Sequence, residues 1–181
     1  MTTVTPQSDD IDRSQADFEN FYRATVERTY QAALRMARGD PDLARDATQD
    51  AYARLLRQWR GSGSRSRQAM AARGGDEGRH VAAVAVRRVA DAERRGGRAA
   101  TGRSEEGGEH EDVPGRKLPD SVRELIDRQP VERRAVAVLF FLLECGDGEI
   151  ADILAIPRTV IRAHVERMRV LMKPLVDGAR E

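Results

Sequence analysis

The sequence predicts an all-α protein: two small helical domains joined by a flexible linker, the C-terminal one a helix-turn-helix. Three observations predict it. Apolar residues recur at three- and four-residue spacing through most of the chain, which is the period of one helix face. Aromatic residues are only 4% of the 181, so the cores rest on Leu, Val, Ile and Ala, a composition better suited to helices than to sheets. Gly-rich tracts break the period at residues 60–79 and 98–117. The second tract reads as a linker between a domain over 17–97 and another over 118–181, and residues 1–16 read as a disordered tail.

In the first domain, Phe18, Phe21, Tyr22, Val26, Tyr30, Ala33, Leu34 and Ala37 line one face of a helix that starts at Asp17. Gly39 can close it in the left-handed conformation. Asp40 and Pro41 then restart the chain as N-cap and first helical residue, where the missing proline N–H costs nothing. The second helix carries Leu43, Ala44, Ala47, Ala51, Leu55 and Trp59 inward, and so short a connection makes the pair antiparallel. After a loop with a helical turn near Gln68–Arg73, a third helix runs from His80 to about Arg95 with Val81, Val84, Ala85 and Val89 inward.

In the second domain, Val122, Leu125 and Ile126 mark a short helix stopped by Pro130. Ala135, Val136, Val138, Leu139, Leu142 and Leu143 mark a longer one that ends at Gly146. Asp147 is placed to cap a short helix carrying Ile150, Ala151 and Leu154, and Ala155-Ile156-Pro157 forms the turn. The last helix, Arg158 to Met172, points Ile161, His164, Val165, Met168 and Met172 inward and stops near Pro174.

Composition excludes several function classes. The lone Cys145 rules out an internal disulfide or a cysteine-cluster metal site and fits a small buried thiol in a reducing cytoplasm. The N-terminus has no apolar run of the signal-peptide kind, and no stretch approaches the ~20 apolar residues of a membrane span. His80, His110 and His164 are scattered, so no metal ligation is expected. With no nucleophile constellation and no phosphate-binding loop, the chain is expected to have no catalytic site and no cofactor.

The net charge of +1 is neutral on nucleic acid, but its distribution is not. Arg87, Arg88, Arg94 and Arg95 cluster at the end of the third helix, and their natural partner is a phosphate backbone. Glu105, Glu106, Glu109, Glu111 and Asp112 follow in the linker. In the C-terminal pair, Arg158, Thr159 and Arg162 face outward from the first turns of the second helix, the part that such a pair presents to a major groove. Asp46, Gln49 and Asp50 form a polar face on the second helix, which suits protein docking better than catalysis.

Over nearly its whole length the chain resembles a bacterial RNA polymerase sigma factor of the extracytoplasmic-function class. Phe18 to Trp59, with Gly39-Asp40 and the run Ala44 to Tyr52, resembles the first part of the family's region two, and His80 to Arg95 resembles the rest. Leu118 to Leu175, with Pro130, Arg133, Arg134 and the run Glu149-Ile150-Ala151, resembles region four. The chain departs from the family pattern at Arg45, at His80-Val81, at Arg87, and at Pro157 and Val160.

The resemblance implies a cytoplasmic protein that binds core RNA polymerase and promoter DNA and directs transcription initiation, with an anti-sigma factor as a further partner. It implies polymerase docking through Asp46, Gln49 and Asp50. It implies contact with the minus-ten element through Arg87, Arg88, Asp91, Arg94 and Arg95, and with the minus-thirty-five element through Arg158, Thr159, Arg162, Ala163 and Glu166. Two other readings stay open: a helix-turn-helix regulator acting without polymerase, and a degenerate sigma-like protein unable to open promoters.

Overall fold

A computed structural model of the chain describes residues 6–61, 74–96 and 119–177, and these are helical almost throughout. In chain order the helices are α1 (Pro6–Met36), α2 (Pro41–Gly61), α3 (Gly74–Arg95), α4 (Asp120–Asp127), α5 (Val131–Ala137), α6 (Asp147–Leu154) and α7 (Arg158–Asp177). A π-helical segment, Val138–Leu142, continues α5. Among the described residues there is no strand, so the fold is all-α. The turn expected near Gln68–Arg73, the tract 98–117 with its acidic run, and His110 lie outside the described residues.

Helices α1 and α2 form the antiparallel pair that the sequence predicts. Arg38 and Gly39 turn the chain with φ of 57° and 86°, and the Gly39 N–H bonds back to the Leu34 carbonyl at 2.9 Å. The Asp40 carboxylate then accepts from the backbone N–H groups of Asp42 and Leu43 at 3.1 and 3.0 Å, which makes it the N-cap of α2. At the far end Trp59 is buried edge-on to Phe18, with ring centroids 5.6 Å apart, and against Phe21 at 6.1 Å. Between these ends the Tyr52 hydroxyl meets Thr25 Oγ1 at 2.8 Å and Thr29 Oγ1 at 3.1 Å. Each threonine hydroxyl also donates to a carbonyl one turn back, so its oxygen is left to accept, and the single Tyr52 proton serves one of the two threonines at a time.

Helix α1 begins at Pro6, not at Asp17, so residues 6–16 extend the first helix and are not a tail. A helix nucleated by the packed turns downstream lengthens at little cost through polar residues, and Pro6 needs no N–H partner at the first position. Helix α3 likewise begins six residues before His80, at Gly74. Gly78 explains part of this: a Cβ there would stand 2.8 Å from Thr25 Cγ2, so the missing side chain lets α3 close on α1.

Helix α3 is the centre of the molecule. Val81, Ala82, Ala83, Ala85, Val86, Val89 and Ala90 are all buried, which is more than one face of a helix. A helix apolar on nearly every side must be enclosed. α1 and α2 cover one side, while α5, α6 and the π-helical segment approach the other.

The two halves, 6–96 and 119–177, therefore touch, and their apolar residues form one continuous cluster from Phe21 to Met168. Among the described residues, ion pairs that cross between them include the following three. Arg134 of α5 is completely buried and donates to the Glu93 carboxylate of α3 and, at 3.3 Å, to the Gln129 carbonyl. Burial pushes its guanidinium below the usual range, and Glu93 opposes the shift. Arg79 meets Glu149 at 3.7 Å, and Arg35 meets Asp127 at 3.6 Å.

Two further expectations are corrected at the C-terminal end. Gly146, not Asp147, precedes α6 as its cap residue, with no side-chain cap bond. The Asp147 carboxylate pairs with Arg162 instead. Helix α7 also runs through Pro174 to Asp177. Leu175 still packs on the core, and so near a helix end the proline removes only one hydrogen bond.

The cap provides a test of the α1–α2 connection. Asp40→Ala is expected to lower stability by about 1 kcal/mol in denaturant unfolding, and Asp40→Ser to restore most of the loss.

Candidate nucleic-acid interface

Helices α6 and α7 are joined by Ala155-Ile156-Pro157, with Ala155 in the left-handed region at φ 55°. The α6–α7 pair is held from within by Ile150, Ile153 and Leu154 on α6 and by Ile161, Val165 and Met168 on α7, all buried. Residues between these on α7 must face out, and they do: Arg158, Thr159, Arg162, Ala163 and Glu166 are exposed. The five residues assigned by resemblance to one duplex contact thus lie on one outward surface.

Two of the arginines rest against the start of α6. The Arg158 guanidinium covers Gly148 so closely that a Cβ there would lie 2.7 Å from Nη2. Arg162 Nε donates to Asp147 Oδ2 at 2.8 Å while most of its side chain stays in solvent. Solvent screens such a surface pair, so it restrains Arg162 without fixing it. On the neighbouring side His164 ties α7 to α5. Its Nδ1 accepts from Arg133 Nε at 3.5 Å, so its Nε2 carries the proton toward Glu132 Oε1 at 2.9 Å. His164 is half-buried and takes no part in the outward surface.

A second basic surface lies on α3. His80, Val84, Arg87 and Asp91 recur at helical spacing and line a cleft of about 390 Å3 with Arg88, with Arg54 of α2, and with Asp152 and Ile153 of α6. Arg87 Nη1 donates to the Ile153 carbonyl at 2.7 Å, and its Nε lies 3.5 Å from Asp91. Arg88 Nε lies 2.7 Å from Asp50 of α2, and Arg94 pairs with Asp91 one turn back. Of the residues expected at the minus-ten element, Arg87, Arg88 and Asp91 are thus gathered at the cleft, while Arg94 and Arg95 are exposed at the helix end.

The acidic trio on α2 is divided. Asp46 and Gln49 are exposed, whereas Asp50 turns toward Arg88 and Arg54. Arg54 was missed from the sequence. Its signal was the four-residue step from Asp50, which places both on one helix face. Asp152 and Glu149 carried no such signal, because their neighbours on α3 lie far away in the chain.

Cys145 is buried, and its thiol is pushed up to about 12, first by burial and then by the Glu149 carboxylate. It is a packed thiol, not a nucleophile. Among the described residues no group of three or more His, Cys, Asp or Glu stands where a metal could bind. Nor is any helix among them long and apolar enough to cross a membrane. No family model, no curated protein and no solved structure matches the chain.

The thiol gives a pH-dependent test. Native protein at about pH 8 is expected to resist alkylation at Cys145, and denatured protein to react fully. The thiol pKa is raised in the folded state, so its contribution to stability is intact below its ordinary value of 9.0 and is lost as pH rises from there to about 12. Denaturant midpoints measured across that alkaline window should fall, and Cys145→Ala should flatten that part of the fall.

Proposed function

We propose that the chain is a sigma factor of the extracytoplasmic-function class, which binds core RNA polymerase and directs it to promoters. The observation that carries the reading is the outward surface of α7. Arg158, Thr159 and Arg162 stand in its first turns, on a helix held across a three-residue turn by buried Ile161 and Val165. In this reading α6 and α7 are a helix-turn-helix that contacts the upstream promoter element. Each arginine can bond two acceptors on a guanine edge or grip phosphate. Ala163 and Glu166 flank them on the same surface.

The first half supplies the other two contacts. Exposed Asp46 and Gln49 on α2, with Asp50 beside them, are the docking face for the polymerase. Arg87, Arg88, Asp91, Arg94 and Arg95 on α3 face the minus-ten element. Promoter opening is favoured there if this surface binds the unpaired strand better than duplex, since only differential affinity shifts an equilibrium. Extruding a base costs a few kcal/mol, which contacts in the cleft would offset. The two halves act as separate units on the promoter, and the segment between them sets the reach from one element to the other.

The contacts separate experimentally. Asp46→Ala with Gln49→Ala should weaken binding to bacterial core RNA polymerase, read by fluorescence anisotropy, about tenfold or more without changing duplex binding. Arg158→Ala with Arg162→Ala should leave polymerase binding intact and weaken upstream-duplex binding. It should also lower the salt slope by about one for each phosphate that an arginine no longer neutralises. No polymerase binding by the parent at micromolar protein would refute the reading.

A further inference from the structure

An arginine discriminates between bases well only when something holds it. Its side chain is long and flexible, so a solvated guanidinium reaches phosphates and bases from many directions. Held in one orientation, its donors lie in a single plane that matches a guanine edge. The arginines on the first turns of α7 have two supports of different kinds, and both stand on the first turn of α6. We infer that Asp147 and Gly148 are positioning residues that set sequence preference without touching DNA, by aiming Arg162 and Arg158 at base edges. The inference rests on the function proposed above and adds what determines its specificity.

The support for Arg162 is a hydrogen bond. It runs from Nε, the inner nitrogen of the guanidinium, to Asp147 Oδ2 at 2.8 Å. A bond at Nε sets the plane of the group and leaves the outer pair, Nη1 and Nη2, to a ligand. Water screens the pair in the free protein, so there it only restrains the side chain. A duplex seated on α7 excludes that water, and the same two charges then attract more strongly. The support therefore tightens in the complex, where orientation matters. Asp147 also opposes sequence-blind attraction to phosphate. An acid beside a DNA-facing arginine is a disadvantage for affinity and an advantage for orientation.

The support for Arg158 is steric. A Cβ at position 148 would stand 2.7 Å from Arg158 Nη2 and 3.1 Å from its Cζ, so the guanidinium lies where any larger residue would be. Gly148 is the second residue of α6, and glycine is a weaker helix former there than alanine. Helix chemistry gives no reason for it, whereas room for Arg158 does. Arg158 and Arg162 are four residues apart and share one face of α7. Asp147 and Gly148 are adjacent, so one turn of α6 serves both arginines.

Three variants separate orientation from charge and from folding. Asp147→Ala removes the anchor of Arg162, whereas Asp147→Asn keeps an acceptor there without the charge. Gly148→Ala changes no charge, favours the helix, and displaces Arg158 by one methyl group. The full chain, bound to bacterial core RNA polymerase, selects from duplexes randomised over the upstream segment, and the retained duplexes are sequenced. Arg162→Ala and Arg158→Ala identify the base position that each arginine reads. The parent should prefer one base at the Arg162 position about tenfold, and Asp147→Ala should lower this to about twofold with other positions unchanged. Asp147→Asn should keep most of the preference. Both Asp147 variants should bind a scrambled duplex more tightly than the parent, because an acid beside the phosphates is gone. Gly148→Ala should lose preference at the Arg158 position alone, with a denaturant midpoint equal to or above the parent's.

Parental preferences in Asp147→Ala and Gly148→Ala would overturn the inference and leave the function standing. A uniform change at every base position, shared by Asp147→Ala and Asp147→Asn, would make Asp147 a charge and not a guide, which also overturns it. A parental preference that survives both Arg158→Ala and Arg162→Ala would remove base reading from α7, and the inference with it. A parent that brings no duplex to the polymerase would overturn the proposed function itself.

Discussion

Of the ten residues from Val81 to Ala90 in α3, seven are buried, and the fold follows from the need to cover them. α1 and α2 alone cover one side of such a helix. Left at that, the rest of the stripe would face water at a cost of roughly 25 cal/mol for each Å2 of apolar surface exposed. The helices of the second half take up that remainder. Small side chains make it practicable: Ala82, Ala83, Ala85 and Ala90 keep neighbouring backbones close, as does Gly78 where α3 passes Thr25. Close approach is the gain, and large buried aliphatics of the same cluster, Leu139, Leu143 and Ile150 among them, stand on the second half.

The charged residues fall into two groups. Arg134 is internal, with Glu93 and the Gln129 carbonyl as partners. Desolvation offsets most of the attraction in a buried pair, so its chief effect is to fix how α5 sits against α3. Arg158, Thr159 and Arg162 are external, and nothing in the core requires them. Arg158 and Arg162 lean on the start of α6 at Gly148 and Asp147, and with Thr159 they stay in solvent on the first turns of α7. Arg87 and Arg88 lie between the groups: both line the cleft, and both are bonded within the protein.

The local elements were legible because each rests on a short-range signal. Gly39, Asp40 and Pro41 specify a helix end and a helix start within three residues, and the backbone there does what their chemistry requires. The alternation that put Ile161, Val165 and Met168 inward also put Arg158 and Arg162 outward. Boundaries were less legible where packing overrode local preference. The glycines before His80 read as loop, yet α3 begins at Gly74. Asp147 read as a cap, yet Arg162 one helix away holds its carboxylate. The polar residues 6–16 read as a tail, yet they continue a helix whose stability comes from residues further on.

By itself the sequence determined the helical class, the order of the helices, the residues that face inward on most of them, and the arginines left outside on the last. These depend on periodicity and caps, which act over a few residues. Tertiary structure alone decided that α3 has two covered sides, that Arg134 finds Glu93 forty-one residues back, and that Arg87 finds a carbonyl of α6 sixty-six residues on. A helix face records that it is apolar but not what covers it, and an arginine records its charge but not which acid it meets. Those choices are made by distance in space, and only the folded chain sets that distance.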